Sequence, residues 1–426
     1  MRSSKTSDDS SDIVVVGAGP SGMMAAITAA SHGAHVIVLE KNKTVGVKLN
    51  ITGKGRCNVT NNCTPEEVIK NTPRNGKFLY SCLNRFPPAE TIAFFEKNGV
   101  PLKTERGNRV FPVSDRAKDI TETLHRLMVR HGVEIRKGRA AGLAVKEGKV
   151  YAVRTENEII MCKAVILATG GLSYPRTGST GDGYRLAVSL GHTLIEPKAS
   201  IVPLESNDPA CKRLQGLSLK NVGVKAYDQK GRLVYEDFGE LLFTHFGISG
   251  PTVLSMSAHL RDFGNHGYTV SIDLKPALDE KKLDDRILRD FEKYRNRCFS
   301  NALGDLLPAI MIDEVVERSG IEPSKPVNSV RKSERQELIR LLKDFRVEVT
   351  GSRPVEEAVV TSGGISVKEI DPHTMQSRLV PGLFFAGEIT DVDAYTGGFN
   401  LQIAWSTGYA AGAAAAKVIK NPEVVT

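Results

Sequence analysis

The chain has 426 residues, 41% hydrophobic and 25% charged, with 57 Lys and Arg against 49 Asp and Glu for a formal net charge of +8. That length is enough for two or three domains, and no apolar run of roughly 18 residues is present to make a transmembrane helix, so no membrane partner is expected. Basic and acidic residues interleave without an aromatic-basic stripe, which argues against a nucleic-acid partner; six scattered cysteines carry neither a disulfide framework nor zinc spacing, which fits a reducing, cytoplasmic compartment and no metal.

Residues 1–11 are rich in Ser and Asp, lack an apolar core, and are expected to be a flexible tail rather than a signal peptide. Asp12 to Val16 then reads as a strand, Gly17-Ala18-Gly19-Pro20-Ser21-Gly22 as a glycine turn opening an apolar helix over Met23 to Ala30, and Val36 to Leu39 as a second strand ending at Glu40. This order builds a dinucleotide phosphate site. Gly17 makes the tight turn, Gly19 lets the backbone approach a pyrophosphate, and Gly22 lets the helix pack on the strand. Ala18, Pro20 and Ser21 complete the cradle, and the helix N-terminus points N–H groups at the phosphates. Glu40 is placed to accept hydrogen bonds from a ribose, with Lys41 beside it. The motif alone leaves open which dinucleotide binds.

The loop from Gly46 to Asn58 follows. Its glycines and cations are suited to wrap a diphosphate and a flavin edge, with Lys48, Leu49, Gly55, Arg56, Cys57 and Asn58 on the cofactor side; a polar surface loop is the plain alternative. Pro87 to Gly99 is expected as a short amphipathic helix, Arg109 to Pro112 as an extended connection, and Ala117 to His131 as a helix. A strand begins at Val133. Ala140 to Val145 and Val150 to Thr155 form a hairpin around Glu147-Gly148, with Ala140 counted on the cofactor side. Cys162 to Ala168 is apolar without alternation and reads as a buried strand. It ends in Ala168-Thr169-Gly170-Gly171, whose small residues let the backbone pass against a cofactor. Gly178-Ser-Thr-Gly-Asp182-Gly-Tyr184 opens a helix, either capped by Asp182 or presenting backbone donors to a ligand.

From about Ile201 short alternating strands appear: Val222 to Tyr227, Arg232 to Phe238 and Tyr268 to Asp273. Asp228-Gln-Lys-Gly231 supplies a turn. Asp279 to about Arg346 is helical and charge-rich. Strand signals return at Ala358 to Thr361 and Leu383 to Ala386, and an Ala/Gly-rich helix runs from about Leu401 to Ile419. The expected domains are therefore a nucleotide-binding part over 12–197, an insert over 198–350 with a β unit then helices, and the nucleotide-binding remainder over 351–426. In that remainder Ala386-Gly387-Glu388 would let an acid reach ribityl hydroxyls, with Asp391 nearby. Gly397-Gly398-Phe399-Asn400-Leu401 starts the last helix, whose dipole would stabilise negative charge on a reduced flavin.

Thr52 to Asn61, Gly170 to Pro175, Gly178 to Gly183, Leu242 to Pro251 and Gly397 to Trp405 resemble the BaiN-like family of bacterial NAD(P)/FAD-dependent oxidoreductases, within the glutathione-reductase and fumarate-reductase type of FAD-binding fold. The resemblance spans almost the whole chain after the tail. It implies an α/β, doubly wound Rossmann-like FAD-binding domain with an inserted β-barrel-like and helical domain, bound FAD, and a redox role.

Two departures limit the chemistry. Thr361-Ser-Gly-Gly364 and Gly397-Gly398 resemble the substrate segments of fumarate reductases, but Val359 and Tyr395 stand where those enzymes carry a His and an Arg, which argues against a dicarboxylate substrate. Cys57 and Cys63 are spaced one residue too far apart for the disulfide reductases, and no second glycine fingerprint follows, so Cys57 is expected to be a packed small residue. Arg56, Thr244, His245, Ser249 and Tyr395 are the substrate-side candidates. Of these His245, Arg56 and Tyr395 are the catalytic set, His245 for proton transfer and Arg56 for an anionic group; a satisfied hydrogen bond within the insert is the plainer role for His245. The expected function is hydride transfer between flavin and a small organic substrate, with NAD(P)H as donor and the insert shielding the flavin from water and oxygen. The alternatives are a non-catalytic FAD-binding sensor and, from charge alone, an enzyme acting on nucleic acid. Nothing in the sequence demands an oligomer.

Overall fold

The structure is a computed structural model and describes residues 11–264 and 267–420. All but the last residue of the expected tail lies outside the described residues. The chain divides into two compact units, Met1–Ser200 with Val355–Thr426, and Ile201–Pro354.

The first unit is built on a five-stranded parallel sheet in the order Leu383–Phe385, Ala164–Leu167, Ile13–Val16, Val36–Glu40, Glu134–Lys137. The runs Ile13–Val16, Val36–Glu40 and Ala164–Leu167 are buried at every position, which is why they are apolar rather than alternating. From Ile13–Val16 the chain winds outward through Val36–Glu40, and later strands add on the other side. The strand order therefore reverses beside Ile13–Val16, and such a reversal opens a crevice at the carboxyl ends of the strands.

The helices Pro20–Ser31 and Phe399–Lys420 lie against each other at backbone contact. A Cβ on Gly408 would sit 2.4 Å from the Ser21 carbonyl oxygen, and one on Gly412 2.3 Å from that of Ala25, so this spacing of four residues requires glycine. Trp405 is fully buried beside them, its Nε1 donating to the Val59 carbonyl at 2.9 Å. Two three-stranded antiparallel sheets complete the unit, one over Thr60–Asn61, Arg109–Pro112 and Leu102–Glu105, the other over Ala140–Lys146, Lys149–Thr155 and Ile159–Met161. Leu194–Ser200 and Val360–Ile365 form a separate pair.

The second unit holds a seven-stranded antiparallel sheet with helices Glu280–Lys293, Ala309–Ser319 and Lys332–Lys343 over a core that includes Phe243, Phe299 and Phe345. Its two edge strands, Phe345–Val349 and Gly351–Ser352, are separated by Thr350 alone. A continuous stretch of chain can occupy both edges only if the sheet curls until they meet, which is the barrel-like form.

Several boundaries move. The helical stretch expected to reach Arg346 ends at Lys343, and Phe345–Val349 is a strand with buried and exposed residues in strict alternation. The strands expected from Val222 and Arg232 run from Ser218 to Tyr227 and from Leu233 to Thr244, the first interrupted by a register shift between Leu219 and Val222 that hides its period. The strand expected from Ala358 begins at Val360.

Candidate functional site

The glycine turn lies at the reversal of strand order. Gly17 has φ +101°, and a Cβ there would stand 2.6 Å from the Ala168 carbonyl oxygen, so the turn is pressed against the end of the neighbouring strand. A Cβ on Gly22 would meet the Gly17 carbonyl oxygen at 1.9 Å, which fixes the helix tightly on its own turn. Gly19 differs: a Cβ there meets nothing within 4 Å. It therefore borders open space at the helix start, with Pro20 as the first helical residue and the amides of the first turn unbonded within the helix. Glu40 braces the turn, its Oε2 accepting the Ala18 N–H and its Oε1 the Asn42 N–H, each at 2.8 Å. A carboxylate accepts more than two bonds, so capacity is left for sugar hydroxyls. Ser21 donates to the Ala386 carbonyl at 3.2 Å.

A second cluster forms around Glu388, just past Leu383–Phe385. Its carboxylate receives Lys48 Nζ at 2.7 Å, Ser173 Oγ at 3.0 Å and the Thr361 N–H at 2.8 Å. Burial by itself pushes this acid up, but the Lys48 ammonium and the hydrogen bonds outweigh it and hold it below the usual carboxylate range. The Lys48 and Glu388 side chains keep 20% and 21% of their surface, so the pair lines a recess instead of being sealed in the core. Asp391 is taken up by Arg74 and by Asn75 Nδ2 at 2.9 Å.

The last helix begins at a crowded turn. A Cβ on Gly398 would stand 2.3 Å from the Thr60 carbonyl oxygen. Asn400 pins the preceding loop by accepting from the Ala394 N–H at 3.0 Å and donating to its carbonyl at 2.7 Å. Phe399 is buried, and Leu401 packs at the edge of the core. Gln402, which the site reading did not single out, is fully buried; its Oε1 accepts Thr60 Oγ1 at 2.6 Å and Thr91 Oγ1 at 2.9 Å, and its Nε2 donates to the Phe86 carbonyl at 2.9 Å. It holds the turn against the segments 60 and 86–91.

The segment from Gly53 to Cys57 contains left-handed residues at Gly53, Lys54, Gly55 and Cys57. Gly55 borders open space, Leu49 is buried and Asn58 is half-buried. Arg56 turns to its own surroundings: its guanidinium bonds Glu105 and Asp115 and lies 4.1 Å from the Phe111 ring centroid. Cys57 is sealed in the core and burial pushes its thiol up to about 12; Cys63, also driven by burial, is raised to about 11. Both are free, and neither is poised as a thiolate.

Lys41 reaches Thr180 Oγ1 at 2.6 Å and Asp182 Oδ2 at 2.7 Å. Asp182 caps nothing: Gly181 is the N-cap of Asp182–Val188, and the carboxylate instead collects Lys41, Arg139 and Arg185. Of the capping and donor alternatives for this segment, capping by Asp182 is therefore excluded. Ala140 is buried at the start of its strand. Tyr395 is half-buried, its N–H donating to the Asn71 carbonyl at 2.9 Å. In the second unit, His245 is exposed on the two-residue turn between Leu233–Thr244 and Gly247–Ser249, its ring edge-on to Phe246 at 5.0 Å. Thr244 precedes that turn and Ser249 ends the strand after it, opposite Leu242; the Thr244 hydroxyl is buried without a partner.

Among the described residues, Asn58 Oδ1 and Thr169 Oγ1 are likewise buried polar atoms without a hydrogen-bond partner. Buried polar atoms are normally satisfied. Both belong to the segments expected to face the cofactor, as does the open edge at Gly19 and the spare acceptor capacity of Glu40. These donors, acceptors and close-approach glycines fit a flavin dinucleotide. The hydroxyl of Thr361 and the amide of Gln402 were missed in sequence, and the carboxylate of Asp182 was read only as a helix cap. Each sat inside a quoted motif, but its partners come from distant segments.

A sequence profile for the HI0933-like protein Rossmann domain matches residues 11–414. The chain is 32% identical over 410 residues to the 3-dehydro-bile acid delta(4,6)-reductase of Clostridium scindens, covering 95% of this chain and 99% of that protein. It is 30% identical over 400 residues to the ribosomal RNA dihydrouridine synthase of Escherichia coli, covering 94% and 96%. Among solved structures, the 3-ketosteroid-delta4-(5alpha)-dehydrogenase of Rhodococcus jostii superposes with a TM-score of 0.52 at 17% identity, over 97% of this chain and 98% of that one. An open flavocytochrome c3 fumarate reductase superposes with a TM-score of 0.53 at 18% identity, over 97% and 79%. These two likenesses bear on the fold.

Proposed function

The chain belongs to the HI0933-like family of FAD-binding Rossmann proteins and is an FAD-dependent oxidoreductase; from that premise we propose that it reduces a carbon–carbon double bond conjugated to a carbonyl in a small organic molecule, with NAD(P)H as the electron donor. The observation that carries the reading is what two end-to-end relatives have in common. One is named for reducing delta(4,6) bonds of a 3-dehydro compound and the other for making dihydrouridine. In each the reducible bond is polarised by a carbonyl in the same conjugated system, so hydride goes to the electron-poor carbon and a proton follows to its neighbour.

The bound flavin would supply the hydride. The chain's residues do the holding. The amides after Gly19 would hold the diphosphate and Glu40 would accept from the ribose, while the Lys48–Glu388 pair with Ser173 would line the cofactor recess. Asn58 and Thr169 offer their unpartnered oxygens to the ligand. The dipole of Phe399–Lys420 favours negative charge at the ring end. Arg56 is committed to two carboxylates, so it anchors the loop more readily than it binds substrate.

The test is anaerobic. The yellow holoprotein is reduced with NADPH or NADH, and reoxidation of the flavin is followed on adding a 3-oxo-4,6-diene steroid, a simple cyclic enone, or a uridine-containing oligoribonucleotide. Reoxidation by the small enones supports the proposal. Reoxidation by the oligoribonucleotide alone would favour the second reading, uridine in RNA, to which the net charge of +8 and the relative named for ribosomal RNA point. A flavin that no donor bleaches would favour the sensor.

A further inference from the structure

Between the end of Ala164–Leu167 and the helix Asp182–Val188 lies a segment fastened at two places on opposite sides of the glycine turn. At its beginning, Thr361 Oγ1 accepts the Leu172 N–H at 2.7 Å and the Ser173 N–H at 3.0 Å, and Ser173 Oγ joins the Lys48–Glu388 pair. Glu388 follows the edge strand Leu383–Phe385. At its end, Asn42 Nδ2 donates to the Thr177 carbonyl at 3.0 Å, and Lys41 reaches Thr180 and Asp182. Lys41 and Asn42 follow Val36–Glu40, and Arg139, which follows Glu134–Lys137, bonds Asp182 Oδ1 at 2.6 Å.

In the sheet, Ile13–Val16 lies between these two groups of strands. The segment must therefore cross the carboxyl end of that strand, where the turn Gly17 to Gly19 sits. Its two fastenings differ in kind. The first is made of amides and hydroxyls and a recessed ion pair. The second converges on one carboxylate, 8% exposed, from cations that are 26%, 46% and 68% exposed at Lys41, Arg139 and Arg185. Solvent-exposed charge pairs weaken with salt, whereas hydrogen bonds between neutral groups do not.

We infer that Asp182 is a positioning residue that latches the segment 168–181 across the dinucleotide turn and sets how fast the bound flavin dinucleotide exchanges. This rests on the FAD reading above. Asp182→Asn keeps the shape and loses the charge that gathers three cations, which are then left to repel one another around a neutral amide.

The test follows FAD release from holoprotein, as the rise in flavin fluorescence after dilution, at low and at high sodium chloride. In the wild type, release accelerates with salt. In Asp182→Asn it is of order tenfold faster at low salt and nearly independent of salt. Arg139→Gln, which leaves Asp182 with its other partners, gives an intermediate rate and decides the matter if Asp182→Asn does not fold. Variants that release FAD at the wild-type rate with the wild-type salt dependence overturn the latch while the FAD reading stands. Faster release with an unchanged salt slope overturns it too, as general loosening. A wild-type protein that takes up no FAD overturns both.

Discussion

Replacing Gly19 and Gly22 by alanine, one at a time, separates packing from ligand approach. A methyl at position 22 would lie 1.9 Å from the Gly17 carbonyl oxygen, roughly 1.5 Å short of the 3.4 Å at which ordinary contact begins. The obstacle is backbone, so no side chain can swing away. The helix cannot retreat either, because Gly408 of the last helix already brings that backbone to the Ser21 carbonyl. Overpacking of this kind costs about 1–3 kcal/mol or more, a fall of several degrees in Tm. A methyl at position 19 meets nothing within 4 Å, and the residue has φ −77°, which alanine adopts freely. Its cost to the apoprotein is about 1 kcal/mol at most, the difference between glycine and alanine at an N-cap. A pyrophosphate lying against the turn would lose that close approach, and we expect FAD affinity to fall about 100-fold, or about 2.8 kcal/mol. Thermal unfolding of the apoprotein and titration of FAD by fluorescence quenching read the two effects independently. Gly19→Ala with wild-type FAD affinity would refute the placement of the diphosphate; Gly22→Ala with an unchanged apoprotein Tm would refute the packing argument.

Three further expectations can be checked directly. Glu388→Gln leaves Lys48 without its counter-charge and should destabilise the protein by about 2–4 kcal/mol at neutral pH. Because the folded carboxyl is held below its ordinary value of 4.5, that contribution is complete above pH 4.5 and is lost as pH falls through the lower folded value, so wild-type and variant denaturation curves should converge in acid. His192 is buried between Glu369 and Ser377 at 3.2 and 2.9 Å, and burial lowers it from 6.5. The unfolded chain then binds the proton more readily, so Tm should fall as pH drops below about 6.5, and His192→Gln should flatten that slope; equal slopes would count against it. Gln402→Leu removes the acceptor of Thr60 and Thr91 in a sealed site and should cost about 2–4 kcal/mol, measured by urea unfolding.

Much of the first unit could be read in one dimension because its signals are local. The buried runs Ile13–Val16 and Ala164–Leu167, and the glycines between strand and helix, carry their reason in adjacent residues: an apolar strand needs burial on both faces, and a tight turn needs a residue without a side chain. The strand ending at Glu40 was legible for the same reason. The tertiary structure decided where charges and hydroxyls spend their bonds. Lys48, read as a cofactor cation, pairs with Glu388 from the far end of the chain; Arg56, read as a substrate cation, is taken by Glu105 and Asp115; Asp182, read as a possible helix cap, gathers cations from two other strand ends. A polar side chain's partner depends on which segments the sheet order makes neighbours, and that order is set by the packing of strands no local pattern relates. The same holds for the barrel-like unit, where one stretch around Thr350 supplies both edges of a sheet, a fact of closure that periodicity in Phe345–Val349 could not contain.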